Sequence, residues 1–375
     1  MDFNLFMYCT IGRREELEAG SAGLDGRLYQ RMLDEIAEYV TFCDQAGYAG
    51  MGHPEHHLQV EGFEISNDPN LMSMWIGRHT KRMRTITCGF VSTTHNPLRT
   101  AENIATLDHM HQGRFAVGLV RGYQHRWVEN FKIRPDLNAV GPWNKNTPVD
   151  EMNREYFTEF VDIVLTALRE PMFSYQGKYW QFPPEDFRNP HPHSVYTDFG
   201  QGVDADMNIT EVGIAPRPLQ DPHPRIYGGF SASVRTTQFW AQRGGRPIVM
   251  AGDLDFCDVV WKKSAETAAE AGIEIPAGDE AAWGGIMICT ETDAEAEELM
   301  VDYEWFWNRW SIPFGNPLPE LLIGTPDTIS AKIDAAQQRF NPHELFLLIP
   351  QGIHDRDVNL RSLDLFASEV IPRFT

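Results

Sequence analysis

Thr85-Ile86-Thr87-Cys88-Gly89-Phe90-Val91 and Arg114-Phe115-Ala116-Val117-Gly118-Leu119-Val120 are two short apolar runs separated by a segment of helical spacing, about Leu98 to Met110. A strand, a helix and a second strand in that order form the repeating unit of a parallel sheet. Reading outward in both directions, the same alternation recurs. Strands are expected at Asp2 to Tyr8, Tyr48 to Gly52, Thr85 to Val91, Arg114 to Val120, Arg225 to Gly229, Pro247 to Ala251, Gly284 to Cys289 and Leu345 to Ile349. The first helix shows the pattern best. Leu33, Ile36, Ala37, Val40 and Cys43 recur at three- and four-residue steps, acidic residues fall mostly between them, and Gly47 stops the run. Later helices are expected at about Pro69 to Arg78, Leu98 to Met110, Asp150 to Arg169, Val234 to Gln242, Asp255 to Ala271, Asp293 to Trp305 and Pro326 to Gln338. Thr325-Pro326-Asp327 opens the last of them with a cap hydroxyl, a first-turn proline and an acid at the positive helix end.

Eight parallel strand–helix pairs close most economically into an α/β (β/α)8 TIM barrel, which leaves no sheet edge. One domain over residues 1–375 then accounts for the chain, with its surplus placed in insertions at about 122–149, 171–224 and 305–323. A doubly wound open sheet is the alternative. Its dinucleotide-binding version is weakened because no G-x-G-x-x-G follows the first strand.

The 32 Lys and Arg against 53 Asp and Glu give a net charge of −21, which argues against nucleic acid or an anionic membrane as partner. Five scattered cysteines without a C-x-x-C pair read as reduced and structural. The amino terminus lacks a signal-like basic and apolar pattern, and nowhere do about 18 apolar residues run together, so a soluble cytoplasmic protein is expected.

Barrel chemistry belongs at the carboxyl ends of the strands. Four segments stand there: His53-Pro54-Glu55-His56-His57, Thr93-Thr94-His95-Asn96-Pro97, Arg121-Gly122-Tyr123 and Gly228-Gly229-Phe230-Ser231-Ala232-Ser233. The histidine cluster offers proton exchange near neutral pH, against a bland alternative of loop or capping histidines. Arg121 requires an anionic partner, and a carboxylate serves as well as a phosphate. Gly228 and Gly229 permit close backbone approach, and Ser231 to Ser233 lead into a helix whose first amides suit a phosphate, although either serine is also an ordinary N-cap. No metal site is expected. His109-Met110-His111 lies late in a helix, where positions two apart face different ways, and His191-Pro192-His193 lies in a proline-rich loop. Gly229-Phe230-Ser231-Ala232-Ser233 lacks the second glycine of a hydrolase elbow. Trp75, Trp305, Trp307 and Trp310 are read either as walls of an apolar pocket, with a mobile lid between Trp305 and Leu322, or as core.

Taken together in order and spacing, the motifs resemble the bacterial luciferase-like family of flavin-dependent monooxygenases. The resemblance runs from Phe3 to Phe374. It is carried by Ala46-Gly47-Tyr48 with Glu55-His56-His57; by Thr85 to Gly89 with Asn96-Pro97-Leu98-Arg99; by Ala101-Glu102, Leu107-Asp108, Gln112-Gly113-Arg114-Phe115 and Arg121-Gly122; and by Arg217-Pro218-Leu219-Gln220, Ser231-Ala232-Ser233 and Gly324-Thr325-Pro326. The resemblance implies FMN at the barrel mouth, its phosphate on Arg121, Gly122, Ser231, Ala232 and Ser233 and its ring over the backbone near Gly89, with His56 as the catalytic histidine. It also implies a non-proline cis peptide near Cys88-Gly89-Phe90. Reduced FMN, supplied by a separate NAD(P)H-dependent flavin reductase, would react with dioxygen and oxygenate a small apolar organic substrate, a carbonyl or an aromatic, through a flavin peroxide. A homodimer through the helices after the second and third strands is expected by the same resemblance. A deazaflavin-dependent dehydrogenase or reductase of the same barrel and a noncatalytic flavin-binding protein are the rival functions.

Overall fold

The computed structural model describes residues 1–188, 195–229, 233–276, 278–279 and 282–374. Ser231 and Ala232 of the expected phosphate seat, and His191 and His193, lie outside them. The chain divides into two compact units, one comprising residues 1–90, 114–120 and 225–375, the other residues 91–113 and 121–224.

The first unit holds a parallel sheet. Its strands are β1 (Asp2–Phe6), β2 (Gly50–His53), β3 (Arg84–Val91), β4 (Phe115–Val120), β5 (Arg225–Gly228), β6 (Arg246–Val249), β7 (Ala282–Cys289), β8 (Glu320–Gly324) and β9 (Glu344–Leu348). Neighbours run β1-β2-β3-β4-β5-β6-β7-β9 and back to β1, so eight strands close a ring. All eight are the strands expected from the sequence, with ends shifted by one or two residues.

The ninth, β8, was not expected. Glu320-Leu321-Leu322-Ile323-Gly324 pairs with Gly285–Cys289, the part of β7 beyond its pairing with β6. Read from sequence, this short apolar run disappears into the aromatic insertion that precedes it. The strand also changes the bookkeeping of helices. Helix Pro326–Phe340 follows β8, and the last barrel strand is followed by Arg356–Glu369, a helix the periodicity had not singled out because buried Asn359 and Ser362 interrupt its apolar face. Capping elsewhere is as read. Gly47 closes helix Gly26–Ala46 at φ 98°, and the Thr325 hydroxyl accepts from the Thr328 amide.

Strand side chains alternate between two faces. Phe3, Leu5, Met51, Val249, Trp283, Met287, Leu345 and Leu347 pack outward with helix residues such as Ile36, Tyr39, Val40 and Phe366. Phe6, Ile86, Cys88, Ala116, Tyr227, Ile248, Ala282, Ile286, Phe346 and Leu348 form the inner cluster. At the amino-terminal ends of the strands the inner positions turn ionic. Glu344 accepts from the Tyr227 hydroxyl at 2.6 Å and pairs with Arg225, while Arg84 pairs with Asp2 and Arg246 with Asp279. That mouth is closed by charge.

The second unit contains helices Pro97–Met110, His125–Phe131 and Pro148–Arg169, together with a hairpin of Tyr175–Gln176 and Gln181–Phe182. Two of the motifs that carried the resemblance turn out to be architectural here. The Arg217 guanidinium donates to the carbonyls of Ala167, Leu168 and Glu170 at 2.6 to 2.7 Å, capping the carboxyl end of helix Pro148–Arg169. Asp108 accepts from the amides of Leu219 and Gln220 at 2.8 Å each and from the Gln220 side chain at 2.6 Å.

Candidate active site

The segment leaving β2 at the carboxyl mouth is a loop fastened at its base. The His56 amide donates to Ser66 O at 2.9 Å, Gly62 N to Gln59 O at 3.1 Å, Ile65 N to Cys9 O at 2.9 Å and Ile11 N to Gly62 O at 3.0 Å. These bonds tie residues 56–66 to the segment after β1. Within the loop, the three histidines separate into different roles. His53 is fully buried, with Nε2 3.1 Å from Ser73 Oγ and Nδ1 3.5 Å from Ser66 Oγ, so it is a packing and anchoring residue. His57 Nε2 lies 2.9 Å from Glu55 Oε1. His56, 5% exposed, has its Nδ1 3.3 Å from Glu64 Oε2, a carboxylate itself only 1% exposed.

Burial holds the His56 imidazole below its ordinary value, against the opposing pull of the Glu64 and Glu55 charges. An imidazole so placed is neutral at physiological pH, and a carboxylate at Nδ1 favours the tautomer that leaves Nε2 as the basic nitrogen. Glu64 was not singled out in the sequence. Its local signal is weak, one acid among several, and the backbone gives it away only in three dimensions, at φ 53°. Burial and then the Glu64 charge raise Tyr8 well above its usual range, and burial with the same charge pushes Cys9 up to about 12 although Ser66 opposes them.

Beside this pair stands a bank of rings. Tyr8 lies 6.1 Å from Phe306 and 5.9 Å from Trp307, and Phe63 lies 5.4 Å from Phe306 and stacks on Trp310 at 5.0 Å. The expected lid is regular structure. Helix Asp293–Phe306 runs on into a π-helical turn, Trp307–Ser311, and then a 3-10 turn, Ile312–Phe314. Trp307 is buried with its indole N–H on Asn316 O at 3.2 Å, whereas Trp305 and Trp310 are half-buried. Trp75 belongs elsewhere. Its indole donates to Leu33 O at 3.0 Å and its ring meets His79, so it packs between outer helices and walls no pocket.

Each expected cofactor residue among the described ones, Gly89, Arg121, Gly122 and Ser233, has its own local explanation. The Cys88–Gly89 peptide is cis, as the resemblance implied. A Cβ on Gly89 would sit 2.0 Å from the Gly118 carbonyl oxygen of β4, so only glycine fits. At Gly228 the close approach is to protein: an added Cβ would lie 2.1 Å from the Trp240 ring. Gly229 is more open: among the described residues, Val120 Cγ1 alone comes within contact of an added Cβ, at 3.2 Å. Ser233 caps helix Val234–Ala241, its hydroxyl accepting from Thr236 N at 3.3 Å. In the second unit, Arg121 Nη1 donates to Asp150 Oδ1 at 2.6 Å, which is the carboxylate alternative read from the sequence. Burial alone would raise Asp150, but the Asn146 amide and Arg121 outweigh it and keep the carboxyl low. One nitrogen of Arg121 meets that carboxylate, and a guanidinium carries five N–H donors. Gly122 follows at φ 87°, where Val91 Cγ1 would lie 2.6 Å from a Cβ. Each unit by itself offers donors of a type that suits an anion: the Arg121 guanidinium in the second, and the Ser233 hydroxyl with the first amides of helix Val234–Ala241 in the first.

A charged groove along helix Gly26–Ala46 is a weaker candidate. Its arginines are already matched: Arg13 with Glu35 at 2.6 Å and Asp355 at 3.0 Å, and Arg31 with Glu16 at 2.5 Å.

Comparison with known proteins adds an independent line. Residues 3–341 match the family described as luciferase-like monooxygenase. Limonene 1,2-monooxygenase of Rhodococcus erythropolis is 23% identical over 91% of this chain and 81% of its own length. The oxygenating constituent of 3,6-diketocamphane monooxygenase of Pseudomonas putida, a type II Baeyer–Villiger monooxygenase solved with FMN, superposes with a TM-score of 0.72 at 20% identity over 100% of this chain and 99% of its own. An F420-dependent secondary alcohol dehydrogenase superposes with a TM-score of 0.64 at 14% identity over 100% and 99%.

Proposed function

The chain belongs to the luciferase-like monooxygenase family, and from that premise we propose that it is the oxygenase component of a flavin-dependent monooxygenase acting on an apolar organic carbonyl or aromatic compound. The observation that carries the reading is a neutral, buried His56 held against Glu64 beside the Tyr8, Phe63 and Trp310 rings. When bound, reduced FMN supplies the electrons that activate dioxygen. The protein's part is to hold the phosphate on Arg121, Gly122, Ser231, Ala232 and Ser233, to offer flat backbone at Gly89, and to keep water from the reacting atoms with the aromatic bank. His56 Nε2 moves a proton to or from substrate oxygen. FMN arrives reduced from a separate NAD(P)H-dependent reductase.

The proposal extends to organisation. The whole chain works as one barrel domain with insertions, as a homodimer in the cytoplasm. Helix Pro69–Arg78 exposes Leu71 at 70% and Met74 at 37%, apolar surface suited to a partner copy. None of the helices among the described residues is long and apolar enough to cross a membrane.

Anaerobic titration with reduced FMN and with reduced deazaflavin, followed by air and an isotope-labelled dioxygen product assay, tests the reading. Tight binding of FMN with label in the product supports it. Tight deazaflavin binding with hydride transfer and no oxygen uptake would select the dehydrogenase reading, which the fold shared with the alcohol dehydrogenase favours. Flavin binding with no turnover of any carbonyl or aromatic substrate would leave a binding protein.

A further inference from the structure

We propose that Glu64 is the positioning residue of the site: it fixes the His56 ring through Nδ1 and thereby makes Nε2 the proton-carrying nitrogen. The inference rests on the role given to His56 above and adds a residue to it.

Four observations converge on Glu64. Its Oε2 stands 3.3 Å from His56 Nδ1, within ion-pair distance though not aligned as a hydrogen bond, with side-chain exposures of 2% and 6%. The two residues occupy opposite ends of one loop, and the bond from His56 N to Ser66 O at 2.9 Å clamps those ends together, so the main chain brings both side chains to one place. Glu64 adopts φ 53°, a left-handed conformation that a residue with a Cβ rarely takes, which turns its side chain inward in a turn where glycine or asparagine would be the usual occupant. The neighbouring Glu55 is engaged separately, at 2.9 Å from His57, so the loop carries two carboxylate–imidazole pairs and each acid has its own ring.

The groups facing the pair come from every element around it. Glu55 and His57 flank His56 on its own loop, Tyr8 and Cys9 approach Glu64 from the segment after β1, and Tyr303 does so from helix Asp293–Phe306. Apart from Glu55, none of these carries a negative charge at neutral pH. Burial disfavours the imidazolium, and Glu64 is the adjacent charge that opposes burial first. Without a carboxylate, the imidazolium would be less accessible and the ring free to turn. A buried acid that merely fills space would leave the His56 titration where it is.

Two measurements on the flavin-free protein separate these cases. Nitrogen-15 spectra of the histidine rings, with His56 assigned by H56Q, should show the wild-type ring protonated at Nδ1. The opposite tautomer would overturn the proposal, and this reading needs no Glu64 variant to fold. In E64Q the His56 titration should fall by about one unit or more, the scale of a lost neighbouring charge, while E64D restores most of it. An unchanged titration in E64Q, or an E64D as shifted as E64Q, would equally overturn it. In the loaded enzyme the acid limb of kcat should move with the ring, with KM for substrate changed less than threefold. Because ring spectra need no flavin, a correct tautomer with no oxygenation would sink the proposed function alone, and the wrong tautomer with full oxygenation would sink Glu64 alone.

Discussion

The two mouths of the barrel are lined from the same eight strands, yet they spend their polar residues in opposite ways. At the amino-terminal mouth, Arg84, Arg225 and Arg246 meet Asp2, Asp279 and Glu344 in matched pairs, and Tyr227 donates its hydroxyl to Glu344. Arg84 on β3 reaches Asp2 on β1, Arg225 on β5 reaches Glu344 on β9 across the ring, and Arg246 on β6 reaches Asp279 on the segment before β7. At the carboxyl mouth the His56–Glu64 pair lies on a connecting segment and stands among Tyr8, Phe63, Tyr303 and Trp307. The lesson is that a closed ring separates its two ends by strand direction: one end is matched charge for charge, the other keeps an imidazole and a carboxylate in apolar surroundings, at the end where barrel enzymes place their chemistry.

This contrast can be broken by experiment. The largest effect is expected at the wall joining the mouths: Gly89→Ala forces a Cβ onto the Gly118 carbonyl oxygen and should cost more than about 4 kcal/mol, seen as insoluble protein or a collapsed melting transition. Soluble G89A with wild-type Tm would show that β3 and β4 can separate. His56→Ala should then lower turnover by about 10²- to 10⁴-fold with flavin affinity kept, whereas Glu344→Gln should leave turnover intact. If E344Q instead abolishes turnover at unchanged Tm, the division between ends is wrong. E344Q should lose about 2–3 kcal/mol, below the full cost of splitting a buried pair because Arg84 and Arg225 reach solvent; denaturant titration measures it. Trp310→Ala should raise KM for an apolar aromatic substrate by about tenfold, the order of a lost ring contact, without moving flavin affinity; equal KM would assign Trp310 to packing.

The smallest effect is in pH. Burial holds His56, His79 and His354 below their ordinary 6.5. The unfolded chain therefore binds protons first as pH falls through 6.5, so the stability from these neutral rings is complete above that value and is lost beneath it. The expected slope is at most about 1.4 kcal/mol per pH unit for each ring. A Tm that rises on acidification from pH 7 to 5.5 would contradict it.

The strands were legible because each is a short apolar run between turn residues, and inner and outer positions of a barrel both favour such runs. β8 was not, since Leu321 to Ile323 come just after Pro317 and Pro319 and share their segment with five tryptophan and phenylalanine residues. His56 could be picked out by its neighbours in sequence. Glu64 could not, because its partnership depends on a loop closing through Ser66, a contact ten residues long. Gly228 was read as allowing close backbone approach, and the structure fills that space with Trp240, twelve positions away on a helix that the sequence located but could not orient. Arg121 illustrates a different limit. Either anion satisfies a guanidinium, and only coordinates reveal that Asp150 is at hand.

The surplus strand has one more implication. A ring has no rim to which another chain can add, but among the described residues the only strand with which Glu320–Gly324 pairs is β7. The Lys332 ammonium donates to the Leu321 carbonyl, and Glu320 lies 3.7 Å from that lysine. A charged side chain posted on an unpaired ribbon is the usual safeguard against intermolecular stacking. Lys332, on the helix that follows, is thus placed to keep that rim from pairing with a second molecule.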